Sequence, residues 1–222
     1  MLFIKKNIPF FLVVWFLIFN QVIFGHATNL EGLPTNDVAW IYLQLGYTHI
    51  IPLGIDHILF VLSLFFLSPK LKTVLWQATA FTIAHSITLG LAMYGFITPP
   101  TYIVEPVIAL SIMFVAIENI ISDKLRPSRI LLVFAFGLIH GMGFARVLTD
   151  LGLPKDKFFI SLVTFNVGVE LGQFTIILLA WFAIGKWFHK KSWYRARIVI
   201  PISSIIAIIA LYWTIERIFF TS

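Results

Sequence analysis

The chain has 222 residues, of which 59% are hydrophobic and 12% charged, and its mean hydropathy is +0.95. A soluble domain averages about 25% charged residues, so this composition excludes an ordinary soluble enzyme and indicates an all-α, polytopic transmembrane helix bundle. The net charge of +6 does not imply nucleic acid, because the basic residues fall in short loops between apolar runs; the lack of cysteine removes disulfides, thiolate metal sites and cysteine nucleophiles.

Residues 1–27 read as a signal peptide, with an uncleaved first helix as the alternative. Lys5 and Lys6 form its basic start, residues 8–24 its apolar centre, and Gly25-His26-Ala27 a small-residue cleavage site. Residues 28–222 form a single transmembrane domain. The first long apolar stretch covers about 38–68, too long for one perpendicular span of about 20 residues. Pro52 and Gly54 divide it, so 38–50 is expected to be interfacial or re-entrant and 51–68 to span. Five more spans follow, at about 73–96, 102–121, 129–148, 158–185 and 197–219.

The basic residues set the orientation. With Lys5 and Lys6 inside and the spans alternating, twelve Lys and Arg lie inside and four outside: Arg146, Lys155, Lys157 and Arg217. Both ends of the mature chain are then outside.

On that topology the intramembrane polar residues agree in depth. Asp56, His57, His85, Glu105, His140, Asn166 and Glu170 come from five spans. At 1.5 Å per residue they lie roughly 5–18 Å from the outer edge. Each such ionisable group costs about 2.5–3.5 kcal/mol to insert, and scattered structural polar groups have no reason to share a slab. Asn166, Glu170 and Gln173 are spaced to share one face of a helix. Gly137 and Gly141 flank His140, and Gly168 and Gly172 flank Glu170. Small residues at that interval let helices approach closely and carry those side chains into the bundle.

Imidazoles and carboxylates without sulfur form a nitrogen and oxygen ligand set suited to Ni, Co, Zn, Mn or Fe(II). The candidate metal ligands are Asp56, His57, His85, His140 and Glu170, with Asn166, Glu105 and His49 as further members. Each has a plainer alternative. An intramembrane His serves often as a helix–helix hydrogen-bond partner, Glu105 can simply occupy a first helical turn, and Glu118 can pair with Lys124 or Arg126.

The stretches 46–67, Phe81–Leu89, Val104–Ser111, Gly137–Ala145 and Phe165–Gln173 together resemble the HupE/UreJ family of small bacterial membrane proteins, in its second branch. The resemblance covers about 40–175. It implies a multi-pass protein of the bacterial inner membrane and, for relatives beside hydrogenase and urease genes, a nickel or cobalt permease. The family motif is His-x5-Asp-His; here six residues separate His49 from Asp56. The Asp56-His57 pair carries over directly. Two functions stand open beside a plainer reading, a structural or accessory membrane subunit whose polar cluster only specifies helix packing. The first is a divalent-metal transporter, against which the polar-poor inner half weighs, where Glu118 and Thr73 are the exceptions. The second is an intramembrane zinc-type hydrolase or acyl-transfer enzyme acting on a lipid or lipid-linked substrate, with three His and a carboxylate at the metal. The expected partners in either case are a metal ion and the lipid bilayer.

Overall fold

The computed structural model describes residues 32–98, 100–150 and 155–220. The expected signal peptide lies outside these residues. The described chain is all-helical. Helix α1 is Thr35–Ile50, α2 Ile55–Leu67, α3 Leu71–Met93, α4 Thr101–Ile121, α5 Arg129–Asp150, α6 Phe158–Ala180 and α7 Ile200–Phe219. A π-helical turn, Trp181–Gly185, continues α6, and another, Arg195–Val199, leads into α7.

The element boundaries follow local chemistry. Pro34 precedes α1 and Pro100 precedes α4, each in extended geometry, because a proline nitrogen has no hydrogen to leave unpaired at a helix start. Helix α3 stops at Gly95, whose φ of 75° puts it in the left-handed region. There Gly95 N–H donates to Ala92 O and Phe96 N–H to Leu91 O, a glycine C-cap that satisfies the last carbonyls. Helix α1 ends at Ile51, which is extended ahead of Pro52. The chain restarts as α2 at Gly54, and the two axes are bent by 67°.

Residues 38–50, expected at the interface or re-entering, form most of α1, and this helix lies along α6. Val38, Tyr42 and Ile50 are wholly buried. The reason is a seam of small residues. A Cβ on Gly46 would collide with the Phe165 carbonyl, and one on Gly168 with the Leu43 carbonyl; Gly172 leaves room for Ile50. A second seam joins α3 to α5, where Gly137 meets the Phe81 carbonyl and Gly141 the His85 carbonyl. In lipid, burial gains little from excluding water, so backbone approach and tight contact carry the packing.

These contacts also fix relative direction. Residues 43–50 follow 165–172, so α1 and α6 run the same way; 81–85 follow 137–141, so α3 and α5 do too. Helices α4 and α7 run oppositely, because Glu105 meets Arg217 and Asn119 meets Ser203. One end of the bundle therefore carries Arg217, the other Arg129. Short α2 is the central element, touching α1, α3, α4, α6 and α7. It buries Phe60, Val61, Leu64 and Phe65, as a helix apolar all round must.

Four helical segments are long and apolar enough to cross a membrane: Leu71–Met93, Thr101–Ile121, Phe158–Phe188 and Arg195–Phe219. The bent pair α1–α2 taken together makes a fifth, and Arg129–Ala145 is an apolar but shorter helix.

The Arg129 end is locked by a polar cluster. Arg129 is 2% exposed and pairs with Glu118 at 3.1 Å. Its guanidinium also reaches Asn119 Oδ1 and the Ser63 carbonyl. Asn119 donates to Ser63 O and Ser203 Oγ. Arg195 donates to the carbonyls of Asn119, Ile120 and Ser122, capping α4 where its own bonds run out. The ion partner of Glu118 among the described residues is thus Arg129, rather than Lys124 or Arg126.

Candidate metal centre

The break between α1 and α2 creates the centre. His49 lies in the last turn of α1 and His57 in the first turn of α2. In an unbroken helix, eight residues would separate them by about 12 Å along the axis. Here their ring centroids are 4.8 Å apart. Gly54 is required for this fold-back, because a Cβ there would strike the His49 carbonyl. His85 enters from α3, its ring 6.0 Å from His57 and 6.3 Å from His49.

One ligand nitrogen from each of His49, His57 and His85 lies within 4.8 Å of the other two. Metal–imidazole bonds of about 2.1 Å put tetrahedral ligand nitrogens about 3.4 Å apart, so the rings must draw in by roughly an ångström to share an ion. The Nε2 atoms of all three are buried without a hydrogen-bond partner. Such unpaired ring nitrogens are the donors that a metal ion could take.

Neighbouring hydrogen bonds set which ring nitrogens hold protons. Asn166 Nδ2 donates to the Leu162 carbonyl, which turns its Oδ1 toward His85 Nδ1 at 3.2 Å. His85 Nδ1 is therefore the protonated donor, and Nε2 keeps the lone pair. His140, from α5, follows the same logic reversed. Ser111 donates its hydroxyl proton to Ile108 O and accepts from His140 Nε2 at 2.9 Å. The lone pair of His140 then sits on Nδ1, which is buried and unpartnered. Its ring is 5.3 Å from that of His57, beside the three-His group. Phe144 and Phe165 wall the His49 ring, and Phe60 and Phe81 that of His140, keeping the centre dry.

The candidate carboxylates lie elsewhere. Asp56 Oδ2 accepts from Arg217 at 2.8 Å. Glu105 Oε2 lies 3.3 Å from the same guanidinium, which also donates to the Glu105 carbonyl. Glu170 accepts from Thr79 Oγ1 at 2.5 Å, and its other oxygen is buried without a partner. It lines a crevice of about 320 Å³ between α3 and α6 with Thr82, Ser86 and Asn166. The shared face expected for Asn166, Glu170 and Gln173 is directed at α3, where they meet His85, Thr79 and Thr82.

Sequence reasoning passed over Arg217 and Arg129. Arg217 entered it only as an outside charge, although it lies within the last apolar run. An ionisable residue inside such a run marks a functional group by default, and that signal was legible.

The fold and the centre define an all-helical, multi-pass membrane protein with an imidazole cluster able to hold a metal ion. The chain matches the family model described as HupE / UreJ protein over residues 26–217, and it belongs to that family. Membership suggests a metal-permease-like function and agrees with the resemblance read from the motifs. No curated protein and no solved structure matches it.

Proposed function

We propose that the protein carries a divalent transition metal, nickel or cobalt in class, across the bacterial inner membrane as cargo. The supporting observation is the group of three imidazoles from three separate helical segments, whose ligand nitrogens lie within 4.8 Å of one another, with the His85 Nε2 lone pair kept free by the Asn166 contact at Nδ1. Nitrogen donors without sulfur suit these ions.

The topology in this reading has six spans. The broken pair α1–α2 is the first and α5 the fourth, with both termini outside. The alternating directions read from helix contacts support it, and so does the break itself, since discontinuous helices commonly house the ion sites of transporters. His140 extends the site as a fourth imidazole. Its hydrogen-bond partner Ser111 also borders a largely apolar groove of about 830 Å³ along α4, with Glu118, Ser122 and Asp123 among its lining.

Metal accumulation in cells at limiting supply tests the reading. Cells making the protein accumulate more Ni or Co than cells lacking it, and cells making His57→Ala do not. Equal accumulation of Ni, Co, Zn and Mn in all three would refute it.

A further inference from the structure

Two carboxylates outside the histidine cluster share one guanidinium. Arg217, in the last turn of α7, reaches Asp56 in the first turn of α2 and Glu105 in α4. Asp56 is the immediate neighbour of His57. The charges leave the group one negative in excess. All three side chains are partly exposed on the protein, at 18%, 23% and 37% for Arg217, Asp56 and Glu105. Arg217 uses Oδ2 of Asp56 and Oε2 of Glu105. Glu105 Oε1 lies beside Gly143, 3.6 Å from where a Cβ would stand, an ordinary contact distance. While it holds both carboxylates, the guanidinium also lies 5.5 Å over the Trp213 ring one turn back on α7, a favourable position for a cation.

We propose that Arg217 is a tethered cation that gates the cluster: it holds Asp56 and Glu105 when no metal ion is present, and an arriving divalent cation takes both carboxylates in its place. The guanidinium then keeps only its contact with Trp213. This gate rests on the metal-transport reading above. It gives the two carboxylates a role ahead of the cluster, as a hard oxygen pair that captures the ion before the imidazoles. It also makes Arg217 a selectivity device. Without it, two unneutralised carboxylates would accept hard cations such as Mg2+, which prefer oxygen ligands.

The test is titration of Ni2+ into the purified full-length protein. Arg217→Gln binds Ni2+ more tightly than wild type, by about tenfold, as expected when a competing interaction is removed. Millimolar Mg2+ competes in that variant and not in wild type. Adding Asp56→Asn to Arg217→Gln abolishes both changes. Arg217→Lys, which keeps the charge but loses the two-pronged grip, gives a smaller shift in the same direction and serves if Arg217→Gln does not purify. A merely structural arginine would give unchanged or weaker binding in both Arg217 variants, and that result overturns the gate while leaving the site intact. A wild type that binds no Ni2+ removes the site and the gate together.

Discussion

Asn166 accepts a hydrogen bond from His85 Nδ1 at 3.2 Å, and the two residues are 81 positions apart in the chain. The amide is locked in turn by its own bond to the Leu162 carbonyl. This pair fixes both the orientation and the tautomer of one ring of the cluster. Asn166→Leu removes that control while leaving the three imidazoles in place. Outer partners of metal-ligating histidines are worth about 10–100-fold in affinity, so Ni2+ binding by the variant, measured by calorimetry, weakens by that factor. Unchanged affinity would mean that His85 does not ligate.

Gly141 stands against His85 on the other side. A Cβ there meets the His85 carbonyl and Thr88 Oγ1, and backbone cannot yield cheaply. Overpacking of this kind costs typically about 1–3 kcal/mol. Gly141→Ala therefore lowers the thermal unfolding midpoint in detergent and weakens Ni2+ binding together, because α3 must shift and carries His85 with it. Gly95→Ala is the contrasting case. It has no neighbour within 4 Å but needs positive φ, so it lowers stability by about 1 kcal/mol without altering metal affinity.

The Arg129–Glu118 pair is predicted to act on stability. Removing one partner of a buried ion pair leaves an uncompensated charge and costs about 3–5 kcal/mol. Arg129→Met and Glu118→Met each destabilise the purified protein in thermal unfolding. The double variant recovers much of the loss. Additive losses in the double variant would show that the two side chains are not coupled.

Much of the fold is legible in the sequence because apolar segments of membrane length leave few alternatives. Helices form where hydropathy places apolar runs, and four of them, with the bent pair α1–α2 as a fifth, are long and apolar enough to cross a membrane. The convergence of His57, His85 and His140 is also legible, since polar side chains at one depth on helices running both ways can all leave the lipid only by facing one another. His49 is not. Its spacing from Asp56 only acquires meaning once the chain folds back at Pro52 and Gly54, bringing residues eight apart to within 4.8 Å. The carboxylates resist reading for a different reason. A sequence shows that Asp56 needs a partner but cannot choose between an ion and an arginine 161 residues away. Glu170 likewise satisfies one oxygen with Thr79 on a neighbouring helix, a pairing that no local pattern announces.

Whether an ion is held by the imidazole nitrogens of His49, His57 and His85 is measured most directly by X-ray absorption at the nickel edge of the Ni2+-loaded protein. The expected spectrum has a nitrogen shell near 2.1 Å, of about the length that metal–imidazole bonds take, with the outer-shell scattering of at least three imidazole rings, reduced by one ring in His85→Ala. A spectrum of oxygen ligands alone, unchanged by His85→Ala, would contradict it.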